Sequence, residues 1–255
     1  MARKRASRRT ARWSIGTRKR SQQSGSPLGR SLYHRQLRLE PLEERRMLAV
    51  VTVTTLSDTV DFTDGQTSLR EAIFAANTVP GADTIQFSPS LTSGGPAKIL
   101  LTGGELAITD ALTIDGPGAD LLTIDAQQQS RIFDITAKSG VYKIVGLTLT
   151  GGKTTGDNLA IPPIFSLPTA FSGGAIRSQT SGMVSVVQST VTGNSTAGLF
   201  AKGGGIWTAG PLTVVESNIV SNHTFGERGY GGGIASEGNI VLTSDSFSNN
   251  STTGD

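Results

Sequence analysis

The sequence contains no cysteine, which excludes disulfide bonds and thiolate metal sites. Its only histidines are His34 and His223, too few for a histidine-rich metal centre. Aromatic residues make up 5% of the chain, whereas glycine occurs 32 times. This composition favours a turn-rich, all-β protein over a globular domain with a thick aromatic core. We therefore expect neither a metal nor a cofactor.

Long apolar runs are also missing. No stretch approaches the roughly 18 apolar residues of a transmembrane helix, so none is predicted. An ordinary secretory signal has an apolar segment of about 7–15 residues, and none occurs before Leu48. The charge is unevenly distributed along the chain, because residues 1–46 have a net charge of +11 and residues 47–255 have a net charge of −8. We interpret residues 1–50 as a basic tail ending in a sorting motif, with residues 1–36 disordered.

What the sequence does contain is a repeat. The segments Ser189–Asn194, Ser217–Asn222 and Asp245–Asn250 follow one another at intervals of 28 residues, and a Gly-Gly element followed by isoleucine precedes each of them. A fixed period of this size is typical of a solenoid, whose repeats bury their apolar faces only by stacking. The predicted fold class is all-β, a right-handed parallel β-helix.

The repeat also predicts which residues stack. Three apolar columns are expected, namely Ile176, Ile206 and Ile234; Val186, Val214 and Leu242; and Val191, Ile219 and Phe247. About six rungs would follow one another at the ~4.8 Å spacing of parallel strands.

Asparagines complete the pattern, because Asn194, Asn222 and Asn250 recur in the same register. We predict that they form a structural ladder of side-chain amides. Each also begins an Asn-x-Ser/Thr sequon, but glycosylation does not explain the spacing.

Two longer segments interrupt the coils. Residues 153–172 are predicted to form one insertion, and residues 223–230 a second loop with exposed aromatic side chains. Ligand contact is expected at such loops and on the sheet face beside them.

Ahead of the coils the sequence predicts a cap, residues 51–79, followed by coils over residues 80–255. A β-branched strand begins at Val51, and a helix follows Ser68. Ser68 and Glu71 have the spacing of a capping box, and Asn77 is the predicted end of the helix. A helix in this position would cover the open edge of the first coil.

The end of the tail resembles a known sorting motif. Its characteristic residues are Leu39, Glu40, Pro41, Arg45, Arg46 and Leu48. The segment is similar to the Leu-Glu-Pro-Arg-x-Leu-Leu motif of large surface proteins of planctomycete-type bacteria, which lies between a basic segment and the mature domain. This resemblance implies a role in sorting. The alternative is a short amphipathic helix.

Two further resemblances concern the body. Residues 51–72 resemble the bacterial surface module named for its Cys-Ser-Leu-Arg-Glu-Ala signature, with Thr67 in place of the cysteine. That module implies the start of a right-handed β-helix and no catalytic group. Gly173–Ile176 and Phe247–Asn250 resemble the repeats of chlamydial polymorphic outer-membrane proteins, which implies surface exposure and adhesion.

Catalysis needs separate consideration, because pectin-lyase-like β-helices include polysaccharide lyases and hydrolases. Such sites need calcium-binding acids beside a base, or two carboxylates about 5–9.5 Å apart. Asp115, Asp125 and Asp134 recur along the chain, with Arg131 and Lys143 nearby. We interpret the aspartates as turn formers, so no catalytic residue is predicted.

The predicted function is that of a secreted or cell-envelope protein, extracellular or associated with the outer membrane, with a structural or adhesive role and no catalysis. Its expected partner is a surface glycan or another surface protein. A polysaccharide lyase or hydrolase is one alternative, and nucleic-acid binding by the basic tail is the other. Because the chain stops at Asp255 without a cap, end-to-end association through the last coil is also expected.

Overall fold

The computed structural model describes residues 48–155 and 169–253, which form a parallel β-solenoid. The predicted disordered segment, residues 1–36, lies outside this part, as do Leu39, Glu40, Pro41, Arg45 and Arg46 of the sorting motif. Leu48 is described and is 69% exposed. Within the described residues, no helix has the length and apolar character needed to cross a membrane.

Two of the four parallel sheets form the longest faces of the solenoid. Sheet A has seven strands, Val50–Val53 (β1), Asp83–Phe87 (β2), Leu112–Asp115 (β5), Val141–Val145 (β8), Met183–Val187 (β12), Leu212–Val215 (β16) and Ile240–Thr243 (β20). Sheet B has six, Ala97–Leu100 (β3), Leu122–Asp125 (β6), Thr148–Thr150 (β9), Thr190–Thr192 (β13), Asn218–Val220 (β17) and Ser246–Ser248 (β21).

The other two sheets are shorter. Sheet C contains Leu106–Ile108 (β4), Phe133–Ile135 (β7), Ile176–Ser178 (β11), Ile206–Thr208 (β15) and Ile234–Ser236 (β19). Sheet D contains Lys153–Thr155 (β10), Ser195–Ala197 (β14), His223–Phe225 (β18) and Ser251–Thr253 (β22). A complete coil passes in order through sheets C, A, B and D, as β15 to β18 do. Short 3-10 turns occur at Pro89–Leu91 and Thr169–Phe171.

The core consists of apolar columns that follow the predicted register. Ile176 pairs with Ile206 and Ile206 with Ile234, and the other two predicted columns are paired in the same way. The columns extend into the earlier coils through Ile114 and Ile144 in sheet A and Ile124 and Leu149 in sheet B, all of which are buried. Each fully buried side chain of this size contributes about 1.5–3 kcal/mol. The predicted β-helix architecture is therefore confirmed.

Sheet D is the part of the fold that the sequence did not predict. The prediction of an insertion over residues 153–172 is wrong for Lys153–Thr155, and the prediction of a loop over residues 223–230 is wrong for His223–Phe225, because both are strands. Their inward-facing residues are the buried threonines Thr154, Thr196 and Thr224. Polar threonine gives no apolar alternation, which explains why sequence pattern alone missed this sheet.

The cap begins with β1 and the helix Leu69–Thr78 (α1). The Ser68 hydroxyl accepts the Glu71 N–H at 3.2 Å, and the Glu71 carboxylate accepts the Ser68 N–H at 2.8 Å, so both hydrogen bonds of a capping box are present. The helix extends one residue beyond the predicted end at Asn77. Arg70 connects the helix to the first coil, because its guanidinium donates to the Gly104 carbonyl at 2.7 Å. The same guanidinium binds the buried Asp58 of the cap at 2.9 Å.

Replacement of Ser68 by alanine is expected to lower the free energy of unfolding by about 1 kcal/mol, because the Glu71 amide loses its acceptor in a buried position. Urea-induced unfolding followed by circular dichroism measures this loss. Ser93→Ala, at an exposed serine outside the helix, is the matched control and is expected to change stability by less than about 0.5 kcal/mol. Equal stability of the two variants would contradict the capping role.

Candidate functional site

The predicted asparagines form a continuous hydrogen-bonded column at the corner between sheets B and D. The Asn222 side-chain oxygen accepts from the Asn194 backbone N–H at 3.1 Å and from its amide at 3.0 Å. Asn250 accepts from Asn222 in the same way, at 3.1 Å and 3.0 Å. Each side-chain amide also donates to a carbonyl of the sheet B strand in the preceding coil, as Asn222 does to Val191 at 2.9 Å. Asn194 and Asn222 are buried, so these side chains serve the fold rather than contact a ligand.

The three aspartates considered for catalysis lie on three different sheets. Asp115 ends β5 in sheet A, Asp125 ends β6 in sheet B, and Asp134 is central in β7 of sheet C. Because they lie on three different faces of the solenoid, and Asp134 belongs to the coil after that of Asp115 and Asp125, they do not form a two-carboxylate centre. Asp125 accepts the Gln127 N–H at 2.8 Å, which is a turn-forming contact.

Asp134 belongs instead to a charge network on the outer side of sheet C. The Arg177 guanidinium binds Asp134 through two hydrogen bonds of 2.7 Å and 2.6 Å. Arg131 binds Glu105 at 2.6 Å and donates to the Ala170 carbonyl at 2.7 Å. Burial, together with repulsion by Arg177, lowers the pKa of Arg131 to about 10, so the guanidinium stays cationic at neutral pH. These contacts hold the backbone at Ala170 beside sheet C.

Exposed aromatic side chains gather where sheet D passes to sheet C. We name this surface the aromatic face and define it by Phe200, His223, Phe225, Arg228 and Tyr230. Phe225 is 43% exposed and Tyr230 50% exposed. Large aromatic side chains left open to solvent in one region typically mark a contact surface.

The aromatic face is built from equivalent positions of two successive coils. Phe200 and Arg228 are one repeat apart, and the Arg228 guanidinium lies 5.6 Å from the centre of the Phe200 ring. Lys202 and Tyr230 are likewise one repeat apart, with the ammonium 5.2 Å from the Tyr230 ring centre and a parallel bridge between their backbones. Both contacts lie within the range of cation–π attraction. Stacking of the coils thus produces two cation–ring pairs, Arg228 with Phe200 and Lys202 with Tyr230.

Strand β18 contributes the second part of this surface. His223 and Phe225 are two residues apart on the strand, so both point outward. Their rings are stacked, with centres 5.3 Å apart and planes inclined by 21°. His223 also hydrogen-bonds the Ser251 hydroxyl of the next coil through Nδ1. The strand therefore presents two ordered rings rather than two free side chains.

Lys202 supports the face from inside. The residue is buried, and its ammonium binds the Glu237 carboxylate at 2.9 Å. Burial by itself lowers the pKa of Lys202, but interactions with Tyr230 and Glu237 outweigh it, and the pKa is raised above its ordinary value. Lys202 is accordingly a fixed positive charge beneath the Tyr230 ring at neutral pH.

The sequence predicted ligand contact at residues 223–230, which stays a prediction, and it did not single out Phe200 and Lys202. A signal for them exists, since the segments 197–203 and 225–231 align at the same 28-residue offset as the rest of the repeat. The offset pairs Phe200 with Arg228 and Lys202 with Tyr230. This part of the repeat is hard to recognise in the sequence, because the offset pairs an aromatic residue with a cationic one rather than two residues of the same type.

A scan against protein-family models found no match for this chain, and searches of curated proteins and of solved structures found no significant similarity. The class of protein is thus defined by the fold, a parallel β-solenoid with an N-terminal helical cap.

Proposed function

We propose that the protein is a secreted or cell-envelope β-solenoid with a structural or adhesive role, and that it binds glycans through the aromatic face. The observation that supports this most is the exposure of two rings, Phe225 and Tyr230, with the Lys202 ammonium 5.2 Å from the centre of the Tyr230 ring. Solenoids commonly bind extended ligands on surfaces formed by successive repeats.

The chemistry of the face suits a sugar. One side of a pyranose ring is a flat array of C–H groups, which packs against an exposed aromatic ring, while its hydroxyl groups need polar partners. Arg228 and Glu227 are both exposed on the same loop and supply a donor and an acceptor for those hydroxyls. Phe225 and Tyr230 would therefore provide the surface on which the sugar stacks. Arg228 and Glu227 would orient the sugar through its hydroxyl groups.

Location outside the cytoplasm is supported by the resemblance of residues 39–48 to a surface-protein sorting motif. We propose that this motif directs the chain to the envelope. Cell fractionation tests this, and recovery of the full-length chain only from the cytoplasm would overturn it. Absence of catalysis and end-to-end pairing of two copies both stay predictions of the sequence.

Removal of both exposed rings, Phe225→Ala together with Tyr230→Ala, is expected to weaken glycan binding about 10- to 100-fold. The reason is that each ring loses its stacking contact with the sugar. The measurement is a glycan-array screen of the whole chain, followed by titration calorimetry with the polysaccharide that binds best.

Phe74→Ala is the control, because Phe74 is also an exposed ring but lies on helix α1, outside the aromatic face. It is expected to leave the affinity unchanged, and circular dichroism must show the solenoid intact in both proteins. The proposal fails if no glycan binds the unmodified chain, or if the double variant binds as tightly as the control.

A further inference from the structure

A buried carboxylate with an unpaired oxygen lies beside the start of strand β1. Asp83 is 1% exposed, and its Oδ1 accepts the Ala49 backbone N–H at 2.8 Å. The second oxygen, Oδ2, is also buried and has no hydrogen-bond partner in the described part of the chain. A buried carboxylate left half-satisfied is costly, so a missing donor is expected at this position.

The Ala49 nitrogen, which already binds this carboxylate through Oδ1, lies directly before strand β1. Ala49 is held on both sides, since its N–H donates to Asp83 and its carbonyl accepts the Thr84 N–H at 2.9 Å. Strand β1 then continues in parallel register beside β2. Leu48, one residue earlier, is largely exposed. Within the described residues, the peptide bond between Leu48 and Ala49 therefore joins an exposed residue to one whose backbone is hydrogen-bonded to the fold.

We propose that the mature protein begins at Ala49, and that the new terminal ammonium binds both oxygens of Asp83. An endopeptidase supplied by the cell would hydrolyse the Leu48–Ala49 bond. The carbon–nitrogen bond breaks, water delivers its hydroxyl to the Leu48 carbonyl carbon, and the Ala49 nitrogen takes up protons to become an ammonium. The segment through Leu48 leaves with a new carboxylate.

Cleavage changes the donor count at this nitrogen. The amide of Ala49 has one N–H, whereas a terminal ammonium has three, so one can stay on Oδ1 while a second reaches Oδ2. The positive charge also compensates the buried carboxylate of Asp83, and hydrogen bonds between charged groups are the stronger kind. The same contact would hold the first strand of the solenoid in place after the tail has left.

Pairing with Asp83 would raise the pKa of the Ala49 α-amino group above its unfolded value of about 7.7–8.0. A raised pKa stabilises the folded state fully at pH values below the unfolded pKa, and this contribution is lost as the pH rises through the folded pKa. The stabilisation is therefore expected at pH 6 and is expected to disappear near pH 11. The proposed ion pair does not depend on glycan binding by the aromatic face.

The first experiment is mass spectrometry of the intact protein isolated from the cells that produce it. The expected N-terminal residue is Ala49, and any other mature N-terminus overturns the proposed site. The same sample is then treated at pH 7 with an amine-reactive reagent. The Ala49 amine should react at least about tenfold more slowly in the folded protein than after denaturation, because it is ionised and paired. Equal reaction rates would overturn the ion pair.

A variant supplies the second experiment. In the processed protein, Asp83→Asn keeps the shape of the side chain but removes its charge, and it should lower Tm at pH 6 by about 5 °C. The difference from the unmodified protein should shrink near pH 11. Asp120→Asn, at an exposed aspartate, is the control and should leave Tm unchanged at both pH values. A loss of Tm in Asp83→Asn that is independent of pH would contradict pairing with the ammonium.

Discussion

Replacing Gly204 with alanine is expected to destabilise the solenoid by about 4 kcal/mol or more. A β-carbon at this position would lie 2.3 Å from the Gly232 carbonyl oxygen and 2.4 Å from that of His223. Both oxygens belong to the backbone of the next coil, and the Gly204 N–H donates to Gly231 at 3.0 Å. The clash therefore cannot be relieved by a side-chain rotation, and the two coils would have to separate.

The neighbouring Gly205 provides the matched control. Its equivalent in the preceding coil is Ala175, since the Ala175 N–H donates to the Gly205 carbonyl at 2.8 Å, so this column already accepts one β-carbon. The nearest backbone atom to a β-carbon at Gly205 is 2.9 Å away. Gly205→Ala is expected to cost about 1 kcal/mol. Urea titration of both variants measures the loss in free energy of unfolding. Equal losses would show that the close approach of the next coil is not the reason for glycine at position 204.

The second large effect is expected for Asn222→Ala, with a loss of about 3 kcal/mol in the free energy of unfolding. Asn222 is fully buried, and its side chain satisfies the backbone N–H and the side-chain amide of Asn194 together with the Val191 carbonyl. Alanine removes these partners at once and leaves the groups buried. Water is not expected to replace them without opening the corner between sheets B and D.

Asn218→Ala is the control for this prediction. Asn218 lies on the same coil, four residues earlier, but its side chain is exposed on the outer face of sheet B. Its replacement is expected to change stability by less than about 0.5 kcal/mol. Thermal and urea unfolding of the two variants give the comparison. If Asn222→Ala is as stable as Asn218→Ala, the amide column does not stabilise the corner.

Pattern alone predicted the architecture of the coils and failed at sheet D. Stacked apolar residues such as Val191 and Ile219 repeat in kind as well as in spacing, so their register can be read directly. Thr196 and Thr224 repeat equally well, and their hydroxyls are 3.3 Å apart in a buried column. The sequence-based prediction, however, placed only the asparagines two residues before them, Asn194 and Asn222, in a stacked column. A buried threonine column has no hydrophobic signature.

The sequence by itself determined the solenoid, its 28-residue register, the asparagine column and the capping box, because each depends on like residues at a constant spacing or on neighbours along the chain. Only the tertiary structure decided which unlike residues meet. Arg228 reaches Phe200 because the chain returns to the same place after one full coil. Asp83 reaches Ala49 because the cap, with its helix, brings the chain back to sheet A, where β2 pairs with β1. The distance between such residues depends on where every turn in between lies. These distances therefore depend on the complete fold and cannot be obtained from a local sequence pattern.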